Sequence, residues 1–162
     1  NSSLYEGAVT PIEPYTQRNY RLNLSYVISE AFTYKSRIEL LTINSQSKGF
    51  QKGMMVTQDL LWKPKSSPID LAFRYALFDT DGYDTRIYSF ENNALYVFAV
   101  PAYYYQGSRA YILIRYSFLR HCDLWVRYGY FLYNNRFQVS SGAEQINGSR
   151  KSDLVIQLRI TF

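Results

Sequence analysis

The final residues 152–162, SDLVIQLRITF, alternate with a period of two that only an extended strand produces. Leu154, Ile156, Leu158, Ile160 and Phe162 share one face, and Asp153, Val155, Gln157, Arg159 and Thr161 share the other. The first face is wholly apolar, so the strand needs an apolar surface on one side and tolerates charge on the other.

The same pattern recurs through the chain. In 107–118, Ala110, Ile112, Ile114, Tyr116 and Phe118 oppose Arg109, Tyr111, Leu113, Arg115 and Ser117; in 122–134, Leu124, Val126, Tyr128, Tyr130 and Leu132 oppose Asp123, Trp125, Arg127, Gly129 and Phe131. In 68–78, Ile69, Leu71, Phe73, Tyr75 and Leu77 oppose Asp70, Ala72, Arg74 and Ala76. Tyr20, Leu22, Leu24, Tyr26 and Ile28 oppose Arg21, Asn23 and Ser25, and Tyr34, Ile38 and Leu40 oppose Lys35, Arg37 and Glu39. Residues 50–63 fit less well, because Gln58 interrupts the face of Met54, Val56, Leu60 and Trp62; a bulge or a protein-covered patch is expected there. The middle, 84–91 and 94–103, reads either as spanning strands or as an extracellular hairpin, which gives seven to nine strands in all.

Alternation also occurs in soluble sandwiches, so the character of the polar face decides. Here it carries Arg21, Arg37, Arg74, Arg115, Arg127 and Arg159 with Glu39, Asp70 and Asp123, while the opposing faces of the well-patterned strands carry no Lys, Arg, Asp or Glu. A charge on the lipid side of a membrane strand costs about 2–4 kcal/mol near the midplane. Guanidiniums confined to one side therefore read as lumen-facing, and the apolar side reads as lipid-facing. Aromatic residues near the strand ends, Tyr20, Tyr26, Tyr34, Trp62 and Phe118 with Phe162, and Tyr128 and Tyr130 toward the other rim, read as interfacial girdles. The 17 Tyr and 10 Phe of this 162-residue chain suit that role. Short connections at 29–31, 64–67 and 119–122, against a longer polar one at 135–151, fit short periplasmic turns and long outer loops.

These features predict an all-β chain forming an antiparallel transmembrane β-barrel of the outer-membrane type, as the C-terminal part of a larger barrel. Residues 1–17 are expected to be an N-terminal segment or the remnant of a preceding strand, with 4–9 as that remnant. Residues 18–162 are expected to carry the barrel strands. An odd strand count places further strands upstream, since single-chain bacterial barrels have even counts. The chain lacks the charged and apolar regions of a signal peptide, so a mature or truncated chain is expected. No apolar run reaches the ~20 residues of a membrane helix, and alternating barrel strands escape such a scan.

Other chemistry finds little support. The net charge of +5 is scattered, without a tract that would follow a nucleic-acid backbone. Cys122 is the single cysteine and His121 the single histidine, beside Asp123 in a short turn; neither a zinc set nor a Ser-His-Asp array with its G-x-S-x-G elbow is expected. Asp79, Asp81 and Asp84 around Gly82 read as a turn rather than an EF-hand, because the later Glu ligand is missing. Asn147-Gly148-Ser149 reads as a flexible loop. Tyr103, Tyr104 and Tyr105 read as an upper aromatic belt, with a surface contact to sugar or protein as the other reading. The mid-strand arginines admit two readings, an anion-preferring pore lining or a salt-bridged ladder that plugs the interior. No enzyme activity, cofactor or metal is expected.

A terminal strand of Leu154, Ile156, Leu158, Ile160 and Phe162 resembles the assembly signal that barrel-insertion machinery recognises in outer-membrane proteins. The stretches QDLLWKP, RYALFDTDGYDTRIYSFENNALYVFAVP, GSRAYILIRYSF and LWVRYGYFLY, within about residues 53–162, resemble the barrel region of Bacteroidetes outer-membrane proteins catalogued as helix-hairpin-helix domain proteins. That resemblance implies the end of a larger barrel parted from its N-terminal half; the strand pattern itself leads to the expectation of a structural or channel-like component of the outer membrane of a Gram-negative bacterium. Its partners would be outer-membrane lipid, the insertion machinery, and other envelope proteins or an N-terminal half. The helix-hairpin-helix segment of that family has no counterpart here, so nothing about DNA carries over. A barrel that docks another envelope protein through its loops is the alternative function, and a barrel hydrolase using His121 is a more distant one.

Overall fold

The computed structural model describes residues 14–134, 138–139 and 146–161. Residues 4–9 and Phe162 lie outside the described residues.

The chain folds as β1 (Tyr15–Val27), β2 (Phe32–Ser45), β3 (Gly49–Trp62), β4 (Ile69–Thr80), β5 (Ile87–Tyr88), β6 (Ala102–Tyr103), β7 (Gln106–Leu119), β8 (Cys122–Tyr133), β9 (Gln138–Val139), β10 (Ile146–Asn147) and β11 (Arg150–Ile160). Seven of these form one antiparallel sheet in the order β1-β2-β3-β4-β7-β8-β11, and the pairs β5-β6 and β9-β10 are separate ribbons. The strands meet their sequence neighbours, as a meander of alternating segments requires. Among the described residues no helix is long and apolar enough to cross a membrane.

β1 and β11 are the edges, and they do not pair with each other among the described residues. Successive strands reverse, so both edges run toward the same rim, the one bearing the connections 28–31, 63–68 and 120–121. At the other rim β4 and β7 are joined by residues 81–105, but β2 and β3 by residues 46–48 alone. Long loops are thus not uniform at that rim. Gly49, at φ +69°, supplies the left-handed backbone this tight turn needs.

The strand ends are stepped. The pairing register carries one row through Tyr26, Tyr34, Leu60, Phe73, Ile112, Tyr128 and Leu154. That row lies one residue from the end of β1 at Val27 but six from the end of β11 at Ile160. A stagger of this kind tilts strands against the axis around which a sheet curls.

The middle of the chain departs from both expectations for it. Residues 81–105 are neither spanning strands nor an outward hairpin; they fold back over one sheet face, pairing only as β5 with β6. The bulge expected around Gln58 is also absent: β3 pairs without a break to β2 and β4, and the Tyr34 hydroxyl donates to Gln58 Oε1 across the outer face. A partner for the amide removes the reason for a bulge. The register break lies instead between Ser117 and Leu119 of β7.

Burial is inverted relative to a water-soluble sheet. The face under residues 81–105, the inner face, buries Glu39, Thr57, Asp59, Arg74, Arg109, Asp123 and Arg127. The outer face leaves Leu22, Leu24, Ile38, Leu40, Phe73, Leu77, Ile112, Leu154, Ile156, Leu158 and Ile160 exposed. Near the upper rim the inner face is aromatic: Phe78, Tyr103, Phe131 and Tyr133 meet edge-on or stacked, with ring centroids 5.4–6.0 Å apart.

Candidate functional site

The inner face is organised by arginines. Of the residues expected to face a lumen, Arg21, Arg37, Glu39, Asp70, Arg74, Arg115, Asp123, Arg127 and Arg159 all lie on this face, gathered into two groups by the register of the strands.

The upper group clamps the inward-folded loop. Along residues 87–91 the side chains alternate, with Ile87, Ser89 and Glu91 turned to the sheet and buried, and Tyr88 and Phe90 turned away and exposed. Glu91, at 0% exposure, is the centre. It accepts from Arg109 at both oxygens, Nε to Oε1 at 2.6 Å and Nη2 to Oε2 at 2.8 Å, and from Arg127 Nη2 and the Tyr103 hydroxyl, the last at 2.6 Å. Arg109 and Arg127 each also donate through Nη1 to Asp153 of β11, at 3.0 Å for Arg109. Two cations and two anions alternate in a closed ring across β7, β8, β11 and the loop, so each charge taken from water keeps two opposite neighbours.

Backbone carbonyls of the loop are held in the same way. Arg74 of β4 reaches the Phe90 carbonyl at 2.6 Å and Ser89 Oγ at 3.1 Å while gripping Asp59 at 2.5 and 2.8 Å. Arg127 Nε reaches the Asn92 carbonyl at 3.1 Å, and the Asn92 amide donates to the Tyr111 hydroxyl at 3.0 Å. Arg37 of β2 donates to Ser89 Oγ at 3.3 Å and to the Tyr88 carbonyl, and it pairs with Glu39. Glu39 also takes Arg21 at 2.9 and 3.1 Å and Asn19 at 2.7 Å. Four strands thus contribute a guanidinium to one loop. Burial, and then the Glu91 carboxylate, push the Tyr103 phenol well above its ordinary range, so it stays a neutral donor.

Small residues on the inner face leave room for the loop and for the Asp153 carboxylate beneath it. A side chain at Gly129 would begin 2.6 Å from Asp153 Oδ1, and one at Gly53 2.5 Å from the Thr85 carbonyl oxygen. Ala72 and Ala76 lie buried between them in β4.

The lower group is self-contained. Asp123 accepts from Ser117 Oγ at 2.5 Å, from Arg115 at 3.0 Å and from Arg159, and Arg115 also reaches Asp70 at 3.4 Å. The Trp125 ring lies between the guanidiniums of Arg115 and Arg159, 5.5 and 5.4 Å from its centroid.

Of the aromatic residues expected as girdles, the seven that are described, all but Phe162, lie on the outer face. Tyr26, Tyr34, Trp62 and Phe118 fall near the short-turn ends and Tyr130 near the other, but Tyr20 and Tyr128 lie near the middles of β1 and β8. Leu154, Ile156, Leu158 and Ile160 line the outer side of β11. Tyr103, Tyr104 and Tyr105 do not form an upper belt: Tyr103 is fully buried against Glu91, and Tyr104 packs on the buried aromatic cluster. The acids of residues 79–84 are engaged by protein groups, Asp81 by the Lys52 amide at 2.8 Å, Asp84 by Lys48 at 2.5 Å and Asp79 by Gln106 at 3.3 Å. His121 lies exposed in its turn, and among the described residues no three metal-ligating side chains converge.

Asp59 and Glu91 did not emerge from the sequence as site residues. The arginines assigned to the polar face outnumber the acids assigned to it, but nothing in the sequence singles out these two carboxylates as their partners. Comparison with protein-family models, with curated proteins and with solved structures found no match.

Proposed function

We propose that this chain is part of an outer-membrane β-barrel whose interior is closed by its own loop, serving as a plugged, structural component of the envelope rather than an open pore. The observation that carries this reading is the inverted burial: charge and hydrogen bonding are gathered under the loop, and the aliphatic surface is left outside. In water such an outer face would be a large exposed apolar patch; against hydrocarbon it is the ordinary exterior. Charges on that face, Arg18, Lys52, Asp79 and Arg150, fall toward the upper strand ends. Between them and the lower rim, β4 offers nine residues from Ile69 to Leu77 with no outward charge. At about 3.3 Å per residue and a tilt near 40°, such a stretch fills most of an apolar band roughly 25 Å tall.

The ladder reading of the arginines is favoured over the anion-pore reading, because the guanidiniums of the upper group are spent on carboxylates and loop carbonyls. Resemblance to the Bacteroidetes outer-membrane family rests on the sequence stretches alone and is proposed on that basis, with an envelope partner as a further part of the proposal. Fractionation tests the membrane reading: the protein should stay with the outer membrane through carbonate washing and leave only with detergent. Planar-bilayer recording separates plug from pore. The native protein should give no steady conductance, and a stable anion-selective current would favour the pore.

A further inference from the structure

Resting on that barrel reading, we infer that the sheet is completed by an odd number of further strands, more than one, from the same polypeptide outside residues 1–162, with an apolar inward surface that covers the far side of the loop. Among the described residues both edges lack a partner strand: β1 is exposed on both faces along its whole length, and the inward residues of β11 are only half-buried where those of β4 and β8 are buried. β1 and β11 also run in the same direction. Joining them directly would make a parallel seam in an otherwise antiparallel sheet. A second copy inserted in the same orientation would make the same parallel seam twice, and an inverted copy would place its short turns on the wrong side of the membrane. Only a sheet whose first and last strands both run opposite to β1 and β11 pairs antiparallel at both edges, and such a sheet has an odd number of strands. Added to seven, that restores the even count of single-chain bacterial barrels.

One strand would not suffice. A barrel of about eight strands has an interior just wide enough for its own side chains, whereas this inner face already carries all of residues 81–105. The loop's far side states what it must meet. Tyr96 and Phe98 are 90% and 85% exposed, Phe90 and Phe98 touch edge-on at 5.9 Å, and Tyr88, Val97 and Val100 extend the patch. Arg86 stacks on Tyr83 and Tyr88 near the upper rim, but from Ile87 to Val100 the one charged side chain, Glu91, faces the sheet and the aromatic surface faces the open side, so the completing surface is apolar at that level.

The test uses the native polypeptide in outer membranes, in a Cys122→Ser background. Leu22→Cys or Leu24→Cys is combined with Leu154→Cys, Ile156→Cys or Leu158→Cys and oxidised, and Phe98→Cys is treated separately with a membrane-impermeant maleimide. The inference expects no β1–β11 disulfide, a Phe98→Cys thiol labelled only after unfolding, and amide-exchange protection of β1 and β11 equal to that of β3 and β4. A β1–β11 disulfide within one chain or between two copies overturns it, as do labelling of folded Phe98→Cys, freely exchanging edges, or a native polypeptide no longer than 162 residues. These outcomes are distinct from failure of the barrel reading, which would appear first as release from the membrane without detergent.

Discussion

Arg109 of β7 and Glu91 of the inward-folded loop form a two-point ion pair, at 2.6 and 2.8 Å, buried at 3% and 0% exposure. The pair fastens a segment without long strands of its own to the middle of a sheet, and Arg127 and Asp153 complete it. Removing one partner of a buried pair leaves the other charge without compensation, which costs about 3–5 kcal/mol. Arg109→Met should lower the urea-unfolding free energy in lipid vesicles by that order and open residues 81–105 to protease. Arg109→Met combined with Glu91→Met should recover part of the loss. A double variant as unstable as the sum of the single variants would show that the pair is not coupled.

The absence of a side chain at Gly129 gives the Asp153 carboxylate room to bridge Arg109 and Arg127. Gly129→Ala should push Asp153 aside and cost about 1–3 kcal/mol, the usual range for overpacking. In an Asp153→Ala background the same change should cost clearly less, since neighbouring sites that share an interaction are not additive. Equal costs in the two backgrounds would place the Gly129 effect elsewhere.

Much of this arrangement was legible in the alternating sequence. The apolar face of β11 and the arginines of β2, β4, β7 and β8 follow directly from a period of two, because strand geometry turns every second side chain to one side. The loop was not legible. Residues 87–91 alternate as a strand does, but whether Glu91 faces water or a guanidinium depends on the strands that bring Arg109 and Arg127 beneath it. The reading of Tyr103 failed for the same reason, since an aromatic run looks alike on a membrane belt and packed against the face of a sheet. Gln58 misled because local pattern carries no information about Tyr34 on the next strand.

Alkaline pH should act through Tyr103. Its phenol is held neutral in the fold, above the ordinary titration near 10, so its contribution to stability is complete below that pH. Above it the unfolded chain loses the proton while the folded one keeps it, and stability falls as pH rises. Tyr103→Phe should be less stable than the native protein at pH 8, by about 1 kcal/mol for one lost hydrogen bond, and the gap should narrow as pH passes 10. A constant gap across that window would contradict the assignment.

Placement on the outer face should govern tolerance to charge. Phe73→Arg, at the middle of β4, should cost about 2–4 kcal/mol in vesicles, and Ser108→Arg, near the upper end of β7, about 0–1 kcal/mol. The check is urea unfolding of both variants in the same lipid; equal costs would remove the depth dependence on which the membrane reading relies.

The most direct measurement is spin-label accessibility in lipid vesicles, with single cysteines at Leu24, Phe73 and Ile156 on the outer face and at Thr57 and Ala72 on the inner one, each in a Cys122→Ser background. Strong collision with dissolved oxygen and almost none with a charged nickel chelate are expected at the outer positions, and weak collision with oxygen at the inner ones. Outer labels that meet the chelate as freely as a label in bulk water would contradict the membrane reading.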